Sequence, residues 1–509
     1  MQLLGSPAMK AGRRYGAVGL VLALLVAARL GAADRDQRLV NAAQRQDWQT
    51  VRTLVTAKVD VNAPQGDGAT ALHWAAHADN LQMVDLLLRA GADANAANAH
   101  GVTPLWLACE NASVAVVERL VQAGANPNAA LPVQGETVLM TAALSGNVAI
   151  VKTLLDHSAN VNAATAISGQ SALMWAVSQG HDDVARLLIE RGADVRARSR
   201  GGFTPMLFAA QQGNIDAARM LIAAGLGVNQ EGQDQAPLMI AINSGQVPFA
   251  LFLLEQGADA NVSTRDGESA LHAAISIGGR RTGFDPDGVV AEPNDKLNLI
   301  KMLLGHGADP NRRALRVSLR SETAAGIGSS SRDADNFGVA RSRRGATPFW
   351  VAAENADTTL MRVLVDGGAD PTLTTDDKTT ALMAAAGLGH GGDRYERFWS
   401  AARALEAVTF LVEHGADVNA TSEAGFTALH GTAFVGADLA AEYLVQHGAN
   451  PNAQDFLNRT PYRIAEGHKG GGMSFVSRPS TAALLAKLGA NTSLGPHFND
   501  TERELAKVR

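Results

Sequence analysis

Histidines, a lone cysteine, clustered carboxylates and glycine-rich turns are the residues of this 509-residue chain that could carry chemistry, and their spacing argues against most of it. His73, His272 and His430 each stand five residues after a glycine in copies of one recurring phrase, while His306, His414 and His447 each directly precede a glycine that closes a unit. No pair has the spacing of a metalloprotease helix, so all six are expected to be structural and no metal is expected. Asp333-Ala-Asp335-Asn336-Phe-Gly338 opens like a calcium loop, with acids at its first and third positions and glycine at its sixth. Phe337 at the fifth position and Arg344 at the twelfth, where a bidentate glutamate is required, make it a tight turn with solvated acids instead. Gly470-Gly-Gly472 after Lys469 lacks the spacing and the terminal Lys-Ser/Thr of a phosphate loop. Cys109 is the only cysteine, which excludes an intrachain disulfide and suits a small core residue. With no nucleophile elbow, dinucleotide fingerprint or paired-carboxylate signature, neither enzyme activity nor a cofactor is expected.

The phrase that holds these histidines dominates the chain. It reads Gly68-Ala-Thr-Ala-Leu-His73, Gly101-Val-Thr-Pro-Leu-Trp106, Gly202-Phe-Thr-Pro-Met-Leu207, Gly345-Ala-Thr-Pro-Phe-Trp350 and Gly425-Phe-Thr-Ala-Leu-His430. From Gly68 the starts recur at Gly101, Gly135, Gly169, Gly202, Asp234 and Gly267, intervals of 33, 34, 34, 33, 32 and 33 residues. A second phrase closes each unit, as in Ala90-Gly-Ala-Asp-Ala-Asn95, Gln256-Gly-Ala-Asp-Ala-Asn261 and His414-Gly-Ala-Asp-Val-Asn419.

Elementary physics turns these phrases into elements. Thr70, Thr103 and Thr204 are N-cap residues, and proline directly after the threonine suits the first helical position. The pairs Ala75-Ala76, Ala142-Ala143, Ala209-Ala210 and Ala352-Ala353 favour helix and let neighbouring helices approach. A second helix, Leu81–Arg89, places Leu81, Val84, Leu87 and Leu88 at helical spacing and ends at Gly91 in a left-handed cap. No such unit buries its apolar face alone, so neighbours must stack and the ends need atypical caps. The first unit, residues 34–66, lacks the phrase, and the last, 458–495, opens with Arg459-Thr-Pro461 but then loses the spacing.

The period and both phrases strongly resemble the ankyrin-repeat family over residues 34–495. The resemblance implies an all-α solenoid of about twelve helix-turn-helix units with turn or hairpin fingers, degenerate caps included. It also implies partner binding on a concave surface made by the turn tips and the first-helix ends. By phrase position the residues there are His77, Glu110, Asn111, Gln179, Gln211, Gln212, Ser244, Glu354, Asn355 and Phe434. Glu110-Asn111 and Glu354-Asn355 recur as one pair. At seven repeats the phrase histidine is replaced by Trp106, Met140, Met174, Leu207, Met239, Trp350 and Met383, where apolar packing is expected to replace a hydrogen-bonded network.

Three insertions break the period, near 279–296, 312–344 and 387–402. Long insertions in a regular array carry function or disorder. The second holds eight arginines, among them Arg341, Arg343 and Arg344, against three acids. It could dock an anionic partner, or its arginines could be merely solvated. The third contains Tyr395, Phe398 and Trp399 beside two arginines, a composition suited to interface anchors or to a satellite cluster over helix ends.

Residues 1–33 have a different character. Lys10, Arg13 and Arg14 precede an apolar run over 17–28, and Gly31-Ala32-Ala33 follows it, which reads as a cleaved signal peptide, the alternative being an uncleaved anchor because Arg29 stands in the expected cleavage region. The run is 12 residues long, whereas a bilayer span takes about 20. These residues contain four basic groups and no acid, so without them the formal charge falls from −6 to −10. An acidic body gives no reason to expect nucleic acid as a partner. Residues 496–509 form a charged tail. The expectation is a periplasmic or secreted monomeric scaffold that binds a protein partner. The alternative is recognition of an anionic cell-envelope polymer through the arginine-rich insertion.

Overall fold

The computed structural model describes residues 36–229, 236–277, 293–315, 344–388, 400–467 and 477–496. Among them run 24 helices and no strand, and these fall into twelve consecutive pairs of a first and a second helix, as the phrase count predicts. Three pairs belong to a compact unit that ends at Pro132, and nine to another that begins at Val133. Within each unit, successive first helices pack side by side: Arg38–Gln44 on Ala71–His77 on Pro104–Glu110 in one, and Val138–Ser145 on Ala172–Gln179 on Pro205–Gln212 in the other. Each unit is therefore a solenoid of helix pairs.

The caps start these helices as the residue types require. The Thr103 hydroxyl accepts from the Trp106 N–H at 3.2 Å and Thr204 from Leu207 at 3.4 Å, with Pro104 and Pro205 next in line. Second helices start on the side chains of Asn80, Asn214 and Asp357, which accept from Met83, Ala217 and Leu360 at 3.2, 2.9 and 3.1 Å. The alanine pairs of the first helices are fully buried, so their small size sets how closely neighbours approach. In Leu81–Arg89 the buried residues are Met83, Val84 and Leu87, not the full stripe that periodicity predicts. Leu81 occupies the first turn and is 40% exposed, because a helix of nine residues presents only a narrow strip to its neighbours.

The phrase histidines are structural. In the repeat that begins at Thr427, His430 Nδ1 accepts from the Thr427 N–H at 3.1 Å, so the proton sits on Nε2, which donates to the carbonyl of Arg459 in the next repeat at 3.1 Å. His73 bridges in the same way to Val102 and His272 to Ala346, each at 3.0 Å. Where histidine is replaced, the expectation of apolar packing alone needs correction at two positions. Trp350 Nε1 donates to the Thr379 carbonyl at 3.1 Å, the same inter-repeat bond in indole form, and the Met140 sulfur accepts from the Thr137 N–H at 3.5 Å.

The asparagine of the closing phrase does more than turn the chain. Asn95 Nδ2 donates to the Gly124 carbonyl at 2.9 Å, and its Oδ1 accepts from the Asn126 N–H at 2.7 Å. Asn62, Asn261, Asn311 and Asn419 repeat this reciprocal bridge one repeat onward each time. A side-chain amide is suited to it, since it carries both a donor and an acceptor.

Of the three insertions, residues 278–292, 316–343 and 389–399 lie outside the described residues, as do 1–35 and 497–509. The trailing ends of the first and third insertions are helical. Pro293–Gly305 and Ala401–Glu413 are second helices of 13 residues, against nine in most other repeats.

Candidate functional site

Every first helix must turn back into its second, and in eleven repeats the described turn contains a residue at positive φ: Gln46, Asp79, Ala112, Gly146, Gly180, Gly213, Gly245, Ala356, Gly387, Gly436 and Gly467. Side chains just before that residue end the first helix, where packing does not dictate their type. His77, Glu110, Asn111, Gln179, Gln211, Gln212 and Asn355 are exposed there, and Ser244 and Phe434 are half-buried. Glu354 differs: it is buried, at 8% exposure.

In the first unit the structure brings three of these residues together. Asn111 Nδ2 donates to the His77 carbonyl at 2.7 Å, which satisfies a helix-end oxygen of the preceding repeat. Partial burial pushes the Glu110 carboxyl above its ordinary range, and the charge of His77 opposes that shift. Trp74 meets the His77 ring edge-on, with centroids 6.1 Å apart. For the recurring Glu-Asn pair, then, the asparagine at 111 has a structural task, while the glutamate beside it stays exposed.

Between repeats lie the fingers, joined by main-chain bonds. Ala99 N–H donates to the Asp67 carbonyl at 2.7 Å in the first unit. In the second, Ala166 donates to Gln134 at 2.7 Å, Arg200 to Ser168 at 2.8 Å, Asp376 to Arg344 at 2.8 Å and Phe456 to Ala424 at 2.9 Å. Gly135 is required at its finger: φ is +67° and a Cβ there would lie 2.8 Å from the Ala166 nitrogen. The finger tips carry apolar side chains in water, with Val133 70%, Ile167 63% and Phe456 53% exposed. Sequence reasoning passed over these tips. The signal was available, since Val133 and Ile167 each stand two residues before a phrase glycine, where a solvated turn calls for a polar residue. Fingers and first helices are tied together by Trp74 Nε1 donating to Gln65 Oε1 at 3.1 Å and Trp175 Nε1 to Gln170 Oε1 at 3.2 Å.

Of the insertion residues singled out from the sequence, Arg341, Arg343, Tyr395, Phe398 and Trp399 lie outside the described residues. Arg344 is described, 4.0 Å from the Asp376 carboxylate, which Arg313 also meets at 3.0 Å. Two of the arginines at the base of this insertion are thus already close to a carboxylate.

The described residues contain no group of three or more potential metal ligands. Burial pushes the Cys109 thiol above its ordinary range, so the thiol is inert. An open groove of about 620 Å³ runs along second-helix starts in the second unit, lined by His181, Asp182, Asp183, Arg186, Asp216 and Arg219 among others. Its polar groups are partly engaged within the fold: Asp182 accepts from Asn214 at 2.7 Å and Arg219 lies 4.8 Å over the Phe252 ring. What the described residues present is exposed first-helix ends and apolar finger tips on stacked helix pairs within each unit.

Residues 39–131, 129–199 and 206–314 match the family description "Ankyrin repeats (3 copies)", and 377–423 and 424–456 match "Ankyrin repeat". The chain is similar to Ankyrin repeat and SOCS box protein 16 of Mus musculus, 32% identical over 236 residues that cover 45% of this chain and 47% of that protein. It is also similar to Neurogenic locus notch homolog protein 1 of Xenopus tropicalis, 32% identical over 222 residues, 41% of this chain and 8% of that protein. The chain thus spans less than half the length of either relative. With the helix pairs, their period and these matches in agreement, the chain belongs to the ankyrin-repeat family.

Proposed function

We propose that this protein is an exported scaffold that binds a protein partner along its first-helix ends and finger tips, acting as a monomer and without catalysis. The observation that carries this reading is the contrast between fixed and free positions. Packing and capping dictate nearly every residue of a repeat, whereas the helix ends at His77, Glu110, Gln179, Gln211 and Gln212 vary in type and stay exposed. Apolar Val133 and Ile167 project from fingers at the margin of the same repeats. Ankyrin repeats in general mediate protein–protein interaction, which fits such a surface. Export rests on the basic, apolar and small-residue pattern of residues 1–33, and among the described residues no helix is long and apolar enough to cross a membrane.

Capture from a native envelope extract tests the reading. Full-length bait is compared with the single variants Glu110→Lys and Gln212→Lys, and with a bait lacking 312–344. The expected result is one specific protein whose capture falls at least about tenfold with a lysine variant, without change in thermal unfolding, and persists without the insertion. Equal capture by the lysine variants, or loss only with the insertion, overturns the assignment to this surface.

A further inference from the structure

The first unit holds nine carboxylates among its described residues, and six of them are engaged within the fold. Asp36 pairs with Arg38 and Asp85 with Arg89 and Arg119, while Asp47, Asp60, Asp67 and Asp93 accept from backbone N–H groups in caps and turns. Of the other three, Asp79 lies in a turn and Glu118 on the second helix Val114–Gln122, so Glu110 is the one at a first-helix end. It has no hydrogen bond or ion pair among the described residues, although partial burial already disfavours its charge. A partly desolvated anion without a counter-charge gains more from a cation than a fully hydrated one does.

Next to it stand two aromatic rings and a fixed amide. Asn111 Nδ2 donates to the His77 carbonyl at 2.7 Å, which sets the end of Pro104–Glu110 against the end of Ala71–His77. The His77 ring, whose charge Glu110 feels, meets Trp74 edge-on with the planes at 83°. Trp74 is half-buried, so part of its ring stays open to solvent. Its Nε1 donates to Gln65 Oε1 at 3.1 Å, and Gln65 Nε2 donates to Gln44 Oε1 at 2.7 Å, which anchors one edge of the indole.

We propose that Glu110 and Trp74 together hold an arginine side chain of the protein partner, which deepens the scaffold reading above and rests on it. A guanidinium satisfies both groups at once. It is permanently charged, its parallel N–H donors match the two oxygens of a carboxylate, and its flat face stacks on an aromatic ring. A lysine ammonium is a point charge without a plane, so it cannot make the paired bonds and lie flat on the ring together. The nearby amides are already engaged, Asn111 with His77 and Gln65 with Trp74 and Gln44, which leaves the Glu110 carboxylate as the acceptor for a ligand.

The test uses the full chain with isotope-labelled tryptophan and three capped glycine-serine peptides that carry one central arginine, lysine or citrulline. The indole N–H resonance of Trp74 is identified by its loss in Trp74→Phe, and binding is read from its movement during titration at low and high salt. The arginine peptide is expected to bind at least about tenfold more tightly than the citrulline peptide, which keeps the plane without the charge, and more tightly than the lysine peptide. Glu110→Gln, at an exposed helix end where folding is not at stake, should abolish that preference. Glu118→Gln should leave it intact, and high salt should weaken binding severalfold. Equal binding of the arginine and citrulline peptides, lysine binding as tight as arginine, a Trp74 resonance that never moves, or indifference to Glu110→Gln overturns the inference. If a captured partner is lost with Glu110→Lys but retained with Glu110→Gln, the scaffold reading stands and the arginine assignment falls.

Discussion

Replacing Arg459 by leucine is expected to lower the stability of the repeats around it by about 3–5 kcal/mol, the range for breaking a buried ion pair by removing one partner. Arg459 and Asp455 are 3% and 0% exposed and meet at 2.7 Å, with a further Nε–Oδ2 bond at 2.8 Å. The aspartate also accepts from the backbone of Leu457 and Arg459 at 2.9 and 2.8 Å, which shapes the finger. The Arg459 carbonyl in turn receives the His430 bridge, so the pair sits where one repeat is tied to the next. Without the guanidinium, Asp455 is a buried carboxylate with only backbone partners. Asp455→Asn in the Arg459→Leu background should recover part of the loss, because a neutral amide still accepts from both N–H groups. Native-state hydrogen exchange over residues 428–466 reads the effect locally, as repeat stacks can open in parts. Protection reduced about a hundredfold or more is expected, and a loss under about 1 kcal/mol would show that the pair contributes little.

The second large effect concerns pH. Burial holds the imidazoles of His272 and His430 down at about 4, and that of His73 below its ordinary range. Above pH 6.5 these histidines are neutral in both folded and unfolded chains, so their contribution is fully present. As pH falls below 6.5 the unfolded chain takes up protons first, and stability declines until the folded-state value near 4 is reached. At 1.36 kcal/mol per pKa unit this amounts to roughly 3 kcal/mol for each of the two. The structural cause is specific: a proton on Nδ1 would confront the N–H of Ser269 or Thr427, which now donates to it at 3.2 or 3.1 Å. Carboxylates held low, such as Asp85 and Asp156, lose their contribution only as pH falls below about 3.8, so in the window from 6.5 to 4.5 the histidines set the fall and the raised carboxyl of Glu110 works against it. Urea unfolding across that window should show the midpoint falling. His430→Met, the residue type found at Met140, should flatten the fall in proportion. An unchanged slope in that variant would remove His430 from the account.

Much of this was legible in the sequence, for reasons tied to distance along the chain. Caps such as Thr103 and Thr204, the buried alanine pairs and the bounds of Leu81–Arg89 depend on residues within one turn, and they repeat often enough to be read directly. Contacts between repeats were harder to read. The Asn95 bridge to Gly124, the Trp350 bond to Thr379 and the finger ladder each join residues about 30 positions apart, and nothing inside a single repeat announces them. For the candidate surface, phrase position located the exposed helix ends, but it could not tell that Glu354 would be buried or that Asn111 would be bonded to its neighbour. The finger-tip residues Val133 and Ile167 were missed because hydrophobic side chains are ordinarily assigned to the core, and only the turn geometry puts them in water.

The central claim, that a partner binds at first-helix ends and finger tips, is tested most directly by photo-crosslinking from defined positions of the full chain. A crosslinking amino acid is placed at Gln212, at Ile167 or at Glu190, an exposed second-helix residue. The account predicts that one specific protein is captured from Gln212 and Ile167 and not from Glu190. Capture of that protein predominantly from Glu190 would contradict it and move the interface to the second helices.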